Sequence, residues 1–283
     1  MEINPHLILA AYSVIIFSAS LFGGKLSDIG ALTHTRIQVV MSLVAGFILG
    51  ISMFHLLPHG LDRIPGPHAG ESAVLWMMVG IVVMIFLLHV FHFHQHDFSR
   101  ESSDHHHHGS SKEHSGSVLS VALGLGLHTI TEGVALGTSI QVALLDDHLT
   151  VLPGMAVFFA ILMHKPLDAY SILSLMKSDG HSRRSRRAAN VGFAMLCPIV
   201  ALATFWGVGA FAWGEGTIIG YILTFAAGAF LCIALSDLLP EIHFHSHDRG
   251  KLIAALLIGI GLSYALFFIE TAASHGMGML EGH

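Results

Sequence analysis

Apolar residues run along this chain in blocks of about twenty, broken by short polar stretches. A run of that length is long enough to cross a hydrocarbon core of roughly 30 Å as a helix. Eight such blocks stand out, at about 6–24, 37–58, 73–92, 117–141, 151–176, 189–212, 217–240 and 251–271. They predict an all-α membrane protein with eight transmembrane helices. The first block reads as a span rather than a signal peptide, because Glu2 lies where a basic leader would be expected. Together the blocks leave no room for a soluble domain, so residues 1–283 are expected to form a single transmembrane domain, with a polar loop at 92–116.

Basic residues are unevenly spread over the connections. Eleven of the 13 Lys and Arg fall in the odd-numbered loops, including Arg183, Arg184, Arg186 and Arg187 after the fifth block. The even-numbered loops hold only Arg63, among several acids. Positive charge marks the cytoplasmic side, which puts both termini on the extracytoplasmic face. An internal repeat accompanies this pattern. Residues 45–58, AGFILGISMFHLLP, and 227–240, AGAFLCIALSDLLP, are identical at seven of fourteen positions at a constant offset of 182. One block runs outward and the other inward, so the expected architecture is an inverted 3+2+3 repeat, spans 1–3 and 6–8 around spans 4 and 5. Inverted repeats are common in secondary transporters, with the substrate site between the halves.

Composition agrees with a membrane setting. The chain is 53% hydrophobic and 11% charged, with a mean hydropathy of +0.69, whereas a soluble domain carries about a quarter charged residues. A net charge of -6 argues against nucleic-acid binding. Cys197 and Cys232 lie in separate apolar blocks with no metal or disulfide spacing. Histidine is the anomaly, at 23 residues.

Ionisable residues inside a membrane normally face a cavity or a partner, because a charge at the bilayer centre is costly. Span 4 carries His128 and Glu132 at i, i+4, and span 5 carries His164 and Asp168 at the same spacing, with Lys165 between them. Each pair lies on one helical face. Two imidazoles and two carboxylates on a common seam suit Zn²⁺ and other first-row divalent ions better than Ca²⁺ or Mg²⁺. A lone intramembrane histidine is ordinarily a hydrogen-bonded packing residue, but two matched pairs on consecutive helices are hard to explain that way. Pro166 is expected to kink span 5 at the site; Gly133 and Gly137 would permit close helix approach.

Spans 2 and 7 end in His55-Leu-Leu-Pro-His59 and Asp237-Leu-Leu-Pro-Glu241, which makes His55 and Asp237 candidate ligands or transit sites at equivalent repeat positions. His105, His106, His107 and His108 belong to the 92–116 loop, which holds eight histidines within residues 92–114. His243, His245 and His247 lie in the loop before span 8. Such tracts bind transition metals dynamically, and a cytoplasmic sensing or buffering role is expected for them.

His128-Thr-Ile-Thr-Glu132-Gly133 resembles the fourth-span motif H-N-x-x-[D/E]-G of the ZIP family of divalent metal transporters, and His164-Lys165-Pro166-Leu167-Asp168 resembles its fifth-span motif. The His-rich third loop and the endings at Pro58 and Pro240 are similar to the family's as well. The resemblance implies eight spans with extracytoplasmic termini, metal ligands on spans 4 and 5, and alternating access with those spans in a bundle that moves against the rest. It implies a permease carrying divalent transition-metal ions, above all Zn²⁺, toward the cytoplasm, with Cd²⁺, Fe²⁺ and Mn²⁺ as further candidates. Two departures stand out. Members often hold two metals side by side, yet the positions serving mainly the second metal are here Thr129 and Lys165. A lysine ammonium in the second cation's place predicts a mononuclear site. Pro166 also falls one position earlier than the usual family proline.

Competing readings are an intramembrane zinc-dependent hydrolase and a non-transporting metal sensor. No HExxH or GxSxG motif supports the hydrolase, and no GxxxxGK[ST] loop indicates nucleotide hydrolysis. Expected partners are divalent metal ions and the bilayer, with a homodimer left open, and neither nucleic acid nor nucleotide. The membrane is the cell membrane or, in a eukaryote, an organelle membrane.

Overall fold

A computed structural model describes residues 4–29, 34–90, 113–145, 154–211, 216–244 and 249–278. Its elements are α1 (Pro5–Ile29), α2 (His34–Ile51), a π-helical turn (Ser52–Leu56), α3 (Leu57–Asp62), α4 (Ala69–Val90), α5 (Glu113–Leu145), α6 (Met155–Ser178), α7 (Arg183–Phe211), α8 (Thr217–Phe244) and α9 (Arg249–Gly278). No strand occurs among the described residues. Among the described residues, eight rods are long and apolar enough to cross a membrane, α2, the π-helical turn and α3 forming one of them.

Several helix ends follow from local chemistry. Asn4 caps α1 by accepting the His6 N–H on its side chain, 3.0 Å, with Pro5 in the first helical position. Gly180, at φ 76°, ends α6 in the left-handed conformation, and the His181 N–H returns to the Met176 carbonyl, 3.0 Å. Ser182 then caps α7 through the Ser185 N–H, 3.2 Å. The apolar blocks stop short of these ends: the first span reaches Asp28 and the sixth begins at Arg183. Helical hydrogen bonding continues into the polar interface, where the charged residues no longer need to be apolar.

Packing divides the rods into two groups. In one, α2 lies along α9, α4 along α8, and α2 against α8; in the other, α5 lies along α7, and α1 along both α6 and α7. Contact between the groups is made chiefly by α5 with α8 and α2 with α6. Spans α6 and α8 are the most buried, 61% of each, whereas α4 and α9 are 17% and 22% buried. The latter two turn side chains such as Leu75, Phe86, Leu257 and Phe268 outward, as lipid requires.

Glycine sets the closest approaches. A Cβ on Gly46 of α2 would collide with the Leu256 carbonyl of α9, and one on Gly259 with the Leu43 carbonyl and the Phe47 nitrogen. The crossing of α4 and α8 is built alike. There a Cβ on Gly228 would strike the Met77 carbonyl, and one on Gly80 the Phe225 carbonyl and the Ala229 nitrogen. The α2 positions and the α8 positions differ throughout by 182, the offset of the sequence repeat. Small residues that let backbones meet are the usual basis of helix association in lipid.

The candidate metal site

Four of the predicted ligands meet at the centre of the α5–α6 seam. His128, Glu132, His164 and Asp168 are all buried, and one ligand atom from each lies within 4.8 Å of the others. Both imidazoles turn Nε2 toward a single carboxylate oxygen: His128 Nε2 stands 2.8 Å from Glu132 Oε1, and His164 Nε2 contacts the same atom. Asp168 Oδ2 closes the fourth side, 3.9 Å from His128 Nε2 and 4.0 Å from His164 Nε2. The helical spacing explains the convergence, because i, i+4 places each pair one above the other on a common face.

The orientation of His164 follows from its other nitrogen. Nδ1 lies 2.6 Å from the Ala160 carbonyl, which can only accept, so Nδ1 carries a proton and Nε2, the nitrogen on Glu132, is the one left to bind a metal once it gives up any proton of its own. Orientation of a ligating imidazole through its second nitrogen is the usual arrangement at metal sites. Pro166 sits between the two α6 ligands. Lacking an N–H, it leaves the Leu162 carbonyl without its helical partner. Gly23 of α1 packs directly on the Pro166 backbone, with no space for a Cβ. On α5, a Cβ on Gly133 or Gly137 would strike α7 at the Cys197 or Ala201 carbonyl, so both glycines do serve close approach.

Lys165 is wholly buried. Its Nζ donates to Glu132 Oε2 at 2.5 Å and to Thr129 Oγ1 at 2.6 Å, and stands 3.7 Å from Asp168 Oδ2. The Thr129 hydroxyl passes its own proton to the Leu125 carbonyl at 2.7 Å, leaving a lone pair for the ammonium. Glu132 is thus divided, one oxygen facing the imidazoles and the other facing Lys165. A side chain that sequence reasoning did not single out completes the surroundings: the Phe193 ring of α7, whose centroid is 4.7 Å from Nζ.

His55 lies elsewhere. Its Nε2 donates to the Ser263 carbonyl of α9 at 3.1 Å, and its ring meets Phe267 edge-on. It occupies the π-helical turn, where the Leu57 N–H reaches back to the Ser52 carbonyl. The backbone of Asp237 is helical in α8, as is that of His243, while their side chains lie outside the described residues. His105 to His108, His245 and His247 lie outside them altogether.

Comparison with known proteins agrees with this geometry. The family profile described as "ZIP Zinc transporter" matches residues 89–266. Zinc transporter ZIP9 of Micropogonias undulatus is 30% identical over 182 residues, covering 62% of this chain and 54% of the relative. Zinc transporter ZIP9-B of Xenopus laevis is 28% identical over 181 residues, covering 62% and 55%. Zinc transporter SLC39A7 of Mus musculus is 26% identical over 307 aligned positions, covering 84% of this chain and 64% of the relative. The chain spans about half the length of the ZIP9 relatives. These relatives are transporters by name, not enzymes. With a profile matched over more than half of its length and eight membrane-capable helices, the chain is a multi-pass membrane protein that belongs to the ZIP zinc transporter family.

Proposed function

We propose that this protein is a secondary transporter that moves divalent transition-metal ions, Zn²⁺ first among them, across the membrane toward the cytoplasm. The observation that carries the proposal is the buried convergence of His128, Glu132, His164 and Asp168. Two neutral imidazoles and two carboxylates match the donor preference of Zn²⁺, and the same N/O set also suits Cd²⁺, Fe²⁺ and Mn²⁺ less selectively. An ion entering from outside exchanges its waters for these four groups and leaves toward the His-rich segments at 92–116 and 243–247, which act as a cytoplasmic receiver. Asp237 is a candidate transit residue by its equivalence to His55 in the sequence repeat. His55 reaches an ion only by giving up its bond to Ser263.

The site holds one ion. Two carboxylates and one ammonium leave a single net negative charge, and one divalent ion reverses it. A second divalent ion beside Lys165 would gather several uncompensated positive charges in a dry site, where Coulomb energies are large.

The inverted 3+2+3 arrangement is supported by the matching glycine crossings of α2 with α9 and α4 with α8, and by the pairing of α5 with α7 beside that of α1 with α6. The two packing groups suit alternating access, with the ligand-bearing α5 and α6 in the group that moves. Reconstitution into vesicles tests the proposal. External Zn²⁺ is expected to enter vesicles bearing the protein, and Glu132→Ala or His164→Ala to reduce the rate at least a hundredfold. Equal flux in both variants would overturn the assignment, and binding without flux would favour a sensor.

A further inference from the structure

The wall that α7 gives to the metal site contains no ligand, yet one of its residues touches the charge that shapes the site. Phe193 is 7% exposed and directs its ring at Lys165. The Lys165 ammonium has three N–H groups and no access to bulk solvent, since the residue is fully buried. Glu132 Oε2 takes one and Thr129 Oγ1 another. Near the third stand the face of Phe193 and Asp168 Oδ2, the latter at 3.7 Å.

Those neighbours are not equivalent for transport. Asp168 Oδ2 has no hydrogen-bond partner and is the oxygen turned toward both His128 and His164. An ammonium that swung onto it would occupy the atom the divalent ion needs. An aromatic face attracts a cation through its quadrupole, most strongly where both are desolvated, and it does so without supplying a competing lone pair.

We infer that Phe193 is a positioning residue: its ring holds the Lys165 ammonium away from Asp168, so that Asp168 Oδ2 stays available to the transported ion, and it thereby sets the ion affinity of the site. This rests on the reading of the four-residue cage as the transport site. Phe193 also packs in an apolar cluster with Leu125, Ile172, Leu173 and Met176. A purely structural role would make its replacement costly whether or not a lysine stood beside it.

A double-mutant cycle on Zn²⁺ uptake by vesicles bearing the full-length protein separates the two roles. Phe193→Leu is expected to raise the KM for Zn²⁺ roughly three- to tenfold with a smaller change in maximal rate. Phe193→Tyr, which keeps the aromatic face, should stay within about twofold of the parent. In a Lys165→Met background, Phe193→Leu should add nothing. Should any of these variants fail to fold or transport, mono- to trifluorinated phenylalanine at position 193 preserves shape while weakening the face, and KM should climb with each fluorine. A KM that is flat across the fluorinated series, or a Phe193→Leu effect of equal size with lysine and methionine at 165, overturns the inference. Absence of Zn²⁺ flux in the parent protein would instead overturn the transport reading.

Discussion

Glu132 gives its two oxygens to different partners, and the chemistry of the site depends on that division. Oε1 is shared between the imidazoles of His128 and His164, while Oε2 holds Lys165. Glu132→Gln keeps the shape and removes the charge. It should cost about 3–5 kcal/mol, the usual consequence of removing one partner of a buried ion pair, read as a lower unfolding temperature in detergent together with lost Zn²⁺ flux. Thr129→Val removes one acceptor from Lys165 and should cost about 1–3 kcal/mol in the same assay. The four cage residues were legible in the sequence because charge inside a membrane is expensive and because i, i+4 spacing leaves no doubt which face each pair shares. Lys165 was legible as the odd cation between them. Phe193 was not, since a ring contact made across two helices leaves no spacing pattern in either, and a phenylalanine in an apolar block looks like any other. The engagement of His55 with Ser263, 208 positions away, was hidden for the same reason.

At the scale of the element, glycine decides how closely the rods approach, and the repeat makes a paired prediction. Gly46 and Gly228 each leave no space for a Cβ against a facing backbone. Gly46→Leu and Gly228→Leu should therefore reduce the yield of folded protein in detergent to similar extents, while Gly192→Ala, which meets only open space, should leave it unchanged. Size-exclusion profiles read both outcomes, and tolerance at Gly228 alone would deny the equivalence of the two crossings. Helix existence was plain from the apolar blocks, whose ends fell a turn or so short wherever a charged residue extends the helix into the interface. The π-helical turn at Ser52–Leu56 left no sequence signal beyond Pro58, whose missing N–H already disturbs the bonding pattern there.

Across the whole molecule, the charge asymmetry of the loops and the two packing groups fit the proposed carrier, with its candidate ligands in one group. The asymmetry predicts the α6–α7 connection in the cytoplasm and the α7–α8 connection outside. Both native cysteines are buried, so single cysteines introduced at Ser182 and Gly216 can be labelled against a quiet background. A membrane-impermeant maleimide should modify Gly216→Cys in intact cells and Ser182→Cys only after permeabilisation, and the reverse pattern would invert the orientation. Within the group of α1, α5, α6 and α7, polar contacts on the Ser182 side join α1 to α6 and α7. Arg186 donates to Asp28 at 2.7 Å, Lys177 to the Ser27 carbonyl at 2.8 Å and Asn190 to the Leu21 carbonyl at 3.2 Å. Those ties fit the proposal that α1, α6 and α7 move together.

The most direct test of that account counts and identifies the cargo's ligands. Zn²⁺ is titrated into protein whose histidines at 92–108 and 243–247 have been replaced by serine, and X-ray absorption is recorded on the bound metal. The account predicts one tightly held ion per chain, ligated by two imidazole nitrogens and carboxylate oxygens, and none in the additional His164→Ala variant. Two ions per core, a sulfur ligand from Cys197, or binding that survives His164→Ala would contradict it.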